Sequence, residues 1–154
     1  METVSAGGTP TMWSSGGLRP LVTEYRAGTY AFNDRNTIRA GAASLDQVAL
    51  TVAATVVSRR NGRVIVDAGS KALSSEAAGD GFGLVLESPG ARIVRLDEEH
   101  GYVEPAGGVE LELELGQQVR IVPNHVCLAV NLADELVAVR DREIVARWPV
   151  ERGR

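Results

Sequence analysis

His125 and Cys127 stand two residues apart in PNHVCLAVNL. An imidazole nitrogen and a thiolate sulfur form an ordinary donor pair for zinc, at about 2.1 and 2.3 Å from the ion. On a strand, side chains two residues apart point to the same face, so a strand here would aim both donors at one ion. A site with so few protein ligands keeps positions open for water or substrate. The alternative is a chance spacing in which Cys127 is a small buried apolar residue. His100, in EEHG, is the other histidine. It reads either as an acid/base group or metal-side partner oriented by neighbouring carboxylates, or as a solvated strand end. SAGGTPT (5–11) sets two glycines beside hydroxyl residues, a combination that can offer N–H and Oγ groups to a phosphate; the competing reading is a flexible tail. Lys71 is the single lysine. Nothing around it in the sequence suggests the desolvation that activates an amine, and it reads as a surface charge.

The bulk properties exclude several partners. With 44% apolar and 23% charged residues over 154 positions, the chain has the composition of a globular domain with a real core. Its net charge of −4 and scattered Lys and Arg give no footprint for nucleic acid. No apolar run approaches the roughly 20 residues of a membrane span, and METVSAGGTP lacks the build of a secretory signal. One cysteine allows no intrachain disulfide, in keeping with a reducing, cytoplasmic setting.

The elements that would position these groups are mostly strands. VALTVAATVVS (48–58) is loaded with β-branched residues, which favour pleated surfaces. Asn61-Gly62 follows, the dipeptide of a two-residue hairpin turn. Further hairpins are expected at Pro89-Gly90, within GLVLESPGARIVRL, and at Asp141-Arg142, within ELVAVRDREIVARW. GQQVRIVPNHVCLAVNL reads as one barrel strand, bent at Pro123-Asn124. About eight short strands in all suit a barrel or sandwich, with helix limited to short pieces at Ser70–Ala78 and Ala42–Asp46. Residues 1–20, rich in Gly, Ser, Thr and Pro, read as loop.

Taken in order, SAGGTPT, TEYRAGTYAFND, ATVVSR, VDAGSKALSS, EEHG, PNHVCLAVNL and the ending WPVERGR resemble the D-threonine aldolase / D-serine dehydratase family over nearly the whole chain, Ser5 to Gly153. The resemblance implies a mainly β fold: an alanine-racemase-C-terminal-like β-barrel domain over 31–154, preceded over 1–30 by the last two strands of a pyridoxal-phosphate-binding α/β barrel. It implies cofactor contacts at Gly7, Gly8 and Thr9 and at Gly28, Thr29 and Tyr30, a divalent metal (zinc or manganese) on His125 and Cys127, and a substrate-positioning or catalytic role for His100. The implied substrate is a D-3-hydroxy amino acid. In such enzymes the cofactor ring is the electron sink, and the metal acts as a Lewis acid on the β-hydroxyl, for aldol cleavage or dehydration.

One departure matters. The family's Schiff-base lysine lies at the end of the first barrel strand, upstream of anything in this sequence, and Lys71 does not match it. The chain is therefore expected to be incomplete as a lyase, inactive alone, and to associate as a homodimer or with the missing barrel half. Residues 1–30 are expected to present strand edges with nothing to pair with. The alternative reading is a non-catalytic β-barrel module for dimerisation or binding.

Overall fold

The computed structural model describes residues 3–12, 21–107 and 110–152. Two short strands, β1 (Ser5–Ala6) and β2 (Glu24–Tyr25), pair with each other in parallel, Ser5 opposite Glu24 and Ala6 opposite Tyr25. Each is followed by one 3-10 turn, Thr9–Thr11 and Thr29–Ala31. After helix α1 (Arg35–Arg39) and a 3-10 turn at Leu45–Gln47 come β3 (Val52–Arg60), β4 (Arg63–Val66), helix α2 (Ser70–Leu73), β5 (Gly83–Val85), β6 (Ala91–Leu96), β7 (Gly101–Pro105), β8 (Gln118–Pro123) and helix α3 (Val126–Leu132). A hairpin of β9 (Glu135–Arg140) and β10 (Glu143–Pro149) ends the described chain.

Six strands form one antiparallel sheet in the order β5-β8-β3-β4-β7-β6. Alternation along these strands sends Ala54, Val56, Val64, Val66, Val85, Ile93, Val103, Val119 and Ile121 inward, where they make the core with Leu73, Leu111 and Leu113. The two edge strands then meet, because the Phe82 N–H donates to the Ile93 carbonyl at 3.0 Å, and the sheet becomes a nearly closed barrel. Gly81 allows that seam: its φ is +124°, and a Cβ there would collide with the Ile93 carbonyl oxygen. The β3–β4 turn is the expected hairpin turn, with φ of 54° at Asn61 and 75° at Gly62, the positive values that a type I′ turn needs at both positions. Asp141 (φ 51°) and Arg142 (φ 69°) make the β9–β10 turn in the same way.

Several expectations need correction. The chain does turn at Pro89-Gly90, but β5 and β6 are not a registered hairpin: β5 pairs with β8 and β6 with β7. After Val85 the chain stays bound to β8, with the Leu86 N–H on the Arg120 carbonyl and Glu87 accepting from the Arg120 N–H, so the turn crosses the barrel seam. The segment 116–132 is not a single bent strand either. It is a strand as far as Pro123 and a helix from Val126, where Val126 and Ala129, three apart, are the buried positions. Ten strands stand among the described residues in place of about eight. Helix at 70–78 is confined to Ser70–Leu73, the 42–46 piece is the 3-10 turn Leu45–Gln47, and α1 was not expected. Strands β1 and β2 find partners in each other.

Helix α1 is fastened to the barrel by charge. Arg35, with its side chain 9% exposed, pairs with Asp80 and donates to the Asn124 Oδ1 at 3.2 Å, while Arg39 (3.2 Å) and Arg92 (2.6 Å) reach the same carboxylate. Desolvation opposes ionisation of Asp80, but the three guanidinium groups outweigh it and hold the carboxyl below its ordinary value. A lowered folded-state value means that stabilisation is present above the unfolded carboxylate pKa of about 4 and is lost as pH falls through the lower folded value. Asp80→Asn is expected to cost about 1–3 kcal/mol near pH 7, mainly by leaving Arg35 without its charge partner. In urea unfolding, the gap between variant and parent should narrow below about pH 4; a gap that is constant down to pH 2 would refute the assignment.

Candidate functional site

The site lies where the segment Thr29–Asp34 meets the start of α3. Strand β8 cannot continue past Pro123, since Asn124 is drawn inward: 1% exposed, its amide donates to the carbonyls of Glu76 and Gly81, both at 2.8 Å. His125 follows as the residue capping α3, and Cys127 is the second residue of the helix. The two therefore do not share a strand face. Each is instead turned toward the stretch of chain Thr29–Asp34. His125 Nδ1 lies 3.3 Å from the Asp34 Oδ2, and Cys127 Sγ lies 3.9 Å from the Thr29 hydroxyl. Both remain open to solvent, the His125 side chain 35% exposed and Cys127 exposed as well.

Asp34 escaped the sequence reading. It is fully buried, and its carboxylate accepts the Thr37 N–H at 2.8 Å through Oδ1 and the Val126 N–H at 3.0 Å through Oδ2. It thereby caps α1 and fixes the first turn of α3. The available signal was the capping box formed with Thr37, whose hydroxyl accepts the Asp34 N–H at 2.9 Å; Asp followed three residues on by Thr marks a helix start.

The glycine-bearing loops sit beside this junction. The Thr9 hydroxyl accepts the Tyr30 N–H at 3.0 Å, and the Tyr25 hydroxyl donates to the Gly8 carbonyl at 3.0 Å. Gly7, Gly8 and Thr9 thus lie against Gly28, Thr29 and Tyr30 at the same ends of two parallel strands. A Cβ on Gly28 would touch nothing within 4 Å, and one on Gly8 would meet just the Pro10 ring at 3.8 Å.

His100 lies in the exposed turn between β6 and β7, its carbonyl accepting the Asp97 N–H at 2.9 Å. Among the described residues no hydrogen bond or ion pair joins it to His125, Cys127 or the glycine loops. Lys71 is 60% exposed and bonded to Glu99 (2.7 Å) and Glu98 (3.2 Å), which hold its amine above the ordinary value. That is opposite to the shift an imine-forming lysine requires. Among the described residues no three His, Cys, Asp or Glu side chains gather as a metal cage, and no helix is long and apolar enough to cross a membrane.

The chain is similar to several known proteins. Over 124 residues the chain is 41% identical to an uncharacterised protein of Mycobacterium bovis, covering 76% of this chain and 92% of that one. It is 34% identical to a D-threonine aldolase of Arthrobacter, over 97% of this chain and 39% of that enzyme. The solved D-threo-3-hydroxyaspartate dehydratase of Delftia superposes with a TM-score of 0.86 at 32% identity, over 98% of this chain and 44% of that chain. Solved forms of that enzyme include a His-to-Ala variant and a metal-free Cys-to-Ala variant, at positions two residues apart. An alanine-racemase-like protein of Idiomarina loihiensis superposes with a TM-score of 0.83 at 25% identity, over 96% of this chain and 43% of that one. The chain thus spans about two fifths of the length of the enzymes it matches. A family model matches residues 49–139, and the chain accordingly belongs to the family described as "Putative serine dehydratase domain", among D-amino-acid lyases of the D-threonine aldolase and D-serine dehydratase type.

Proposed function

We propose that this chain supplies the metal-holding and part of the cofactor-facing surface of a pyridoxal-phosphate- and divalent-metal-dependent lyase that acts on D-3-hydroxy amino acids. The observation that carries the reading is the solvent-open pair His125 and Cys127 at the start of α3, with Asp34 behind the imidazole and Thr29 beside the thiol. The same His-x-Cys spacing separates the two altered positions of the solved dehydratase, whose cysteine variant has been solved in a metal-free form.

The donors fit such an ion. Imidazole nitrogen and thiolate sulfur suit zinc, and two protein ligands leave coordination positions for substrate oxygens. When bound, the metal supplies Lewis acidity to the β-hydroxyl, and pyridoxal phosphate supplies an electron sink. Gly7, Gly8 and Thr9, with Gly28, Thr29 and Tyr30, would line the cofactor's phosphate, since Gly8 and Gly28 border open space and the two loops are tied together through the Thr9–Tyr30 bond. The Thr29 hydroxyl borders the thiol and helps hold it in place. His100 is proposed as a substrate- or water-positioning group contributed from the β6–β7 turn. Lys71, held by Glu98 and Glu99, is not proposed as the imine-forming group.

A second reading, association through the β9–β10 hairpin, is favoured by its outer face, where Val137, Val139 and Ile144 stand exposed beside the Glu135–Arg147 ion pair. An isolated two-stranded hairpin is marginally stable, and a homodimer would cover this face. Sedimentation that shows a monomer at all concentrations would remove this reading.

Two outcomes test the lyase reading. His125→Ala and Cys127→Ala should each abolish stoichiometric zinc or manganese binding, read by equilibrium dialysis and elemental analysis; metal retained by both variants would overturn it. Mixed with pyridoxal phosphate and D-threonine or D-serine, the chain alone should release neither glycine nor ammonia and show no visible band of lysine-joined cofactor. Either signal would make Lys71 reactive and refute its assignment as a surface charge.

A further inference from the structure

We infer that Asp34 is a positioning residue that fixes the ring tautomer of His125, so that Nε2 is the nitrogen presented to a metal ion. The inference rests on the metal reading above and adds which nitrogen binds and what sets it.

Asp34 is 0% exposed and its oxygens carry the Thr37 and Val126 N–H groups. His125 turns Nδ1 toward the same Oδ2, at 3.3 Å. Both oxygens accept backbone N–H groups and so turn lone pairs toward their neighbours, and an imidazole nitrogen facing Oδ2 with its own lone pair would be repelled; the contact is favourable when Nδ1 carries the hydrogen. In the neutral ring the remaining lone pair then sits on Nε2, at the ring edge away from Asp34. A ligating histidine whose other N–H meets a carboxylate has its orientation fixed and its basicity raised.

Helix capping by itself does not account for this residue. The cap of α1 uses Oδ1, and Asn, Ser or Thr serve as well as Asp in that position. Burying a full charge is costly unless its lone pairs are occupied. Here the second oxygen is spent on the two consecutive residues His125 and Val126 that open α3, which points to the ligand-bearing turn and not to α1 alone.

The test reads the metal-free chain first. Long-range 1H–15N correlation spectra of the two histidine rings are recorded above neutral pH, with His100 as the solvent-exposed internal control and His100→Gln for assignment. His125 should show the Nδ1–H tautomer, and an Nε2–H tautomer would overturn the inference without reference to any metal. Cobalt titration then follows the thiolate-to-metal absorption. Asp34→Asn should lose the tautomer preference and bind cobalt about 10–100-fold more weakly. Thr37→Ala removes the other half of the capping box and should lower stability with cobalt affinity unchanged. Equal affinity losses in the two variants would make Asp34 a helix cap and nothing more, overturning the inference. A parent chain with the Nδ1–H tautomer but no cobalt band would remove the metal reading and the inference with it, and the spectra tell that failure apart from the first.

Discussion

The architecture around the site depends on one buried carboxylate. Asp34 has no contact with water, so each of its lone pairs must be met inside the protein. It meets them with N–H groups from the first turns of two helices and the edge of one imidazole. Helix α1 is five residues long and α3 seven, too short to be stable on propensity. Their starts are fixed because they share this acceptor. The same interaction draws the segment after β2 against the segment after β8, and so brings the segment Thr29–Asp34 to the start of α3.

A second layer secures this arrangement from the barrel side. Asn124 bridges the carbonyls of Glu76 and Gly81 and accepts from Arg35, which in turn meets Asp80. Asp34 and Arg35, adjacent in sequence, thus act in opposite senses, one accepting from α3 and the other donating to the loop before β5. Among the described residues no buried side-chain polar atom is left without a partner. Networks that are completely satisfied in this way hold a unique geometry.

The barrel was legible where local chemistry decides structure. Asn61-Gly62 and Asp141-Arg142 announced their turns through backbone conformation, and the β-branched run at 52–57 announced a core strand. The pairing of β5 was not legible, because Pro89-Gly90 makes a turn whether the flanking strands pair with each other or with β8. The strand-to-helix change at 123–126 was hidden for a similar reason. VPNHVCLAV alternates well enough for a strand, and what decides against one is the inward pull on Asn124 and the capture of the Val126 N–H, both from residues distant in sequence. The motif resemblance singled out His125, Cys127 and the glycine loops as candidates without this geometry. Asp34 was missed since its role appears when α3 is placed beside it.

The distances along the chain between the groups at the site carry a consequence for folding. Asp34 and Val126 are 92 residues apart, and Thr29 and Cys127 are 98 apart, with the entire six-stranded ring between them. Contacts that close loops of such length come after nearer pairings have already shortened the chain. The imidazole and thiol therefore find their neighbours last, and intactness at this junction reports that the whole ring has been completed.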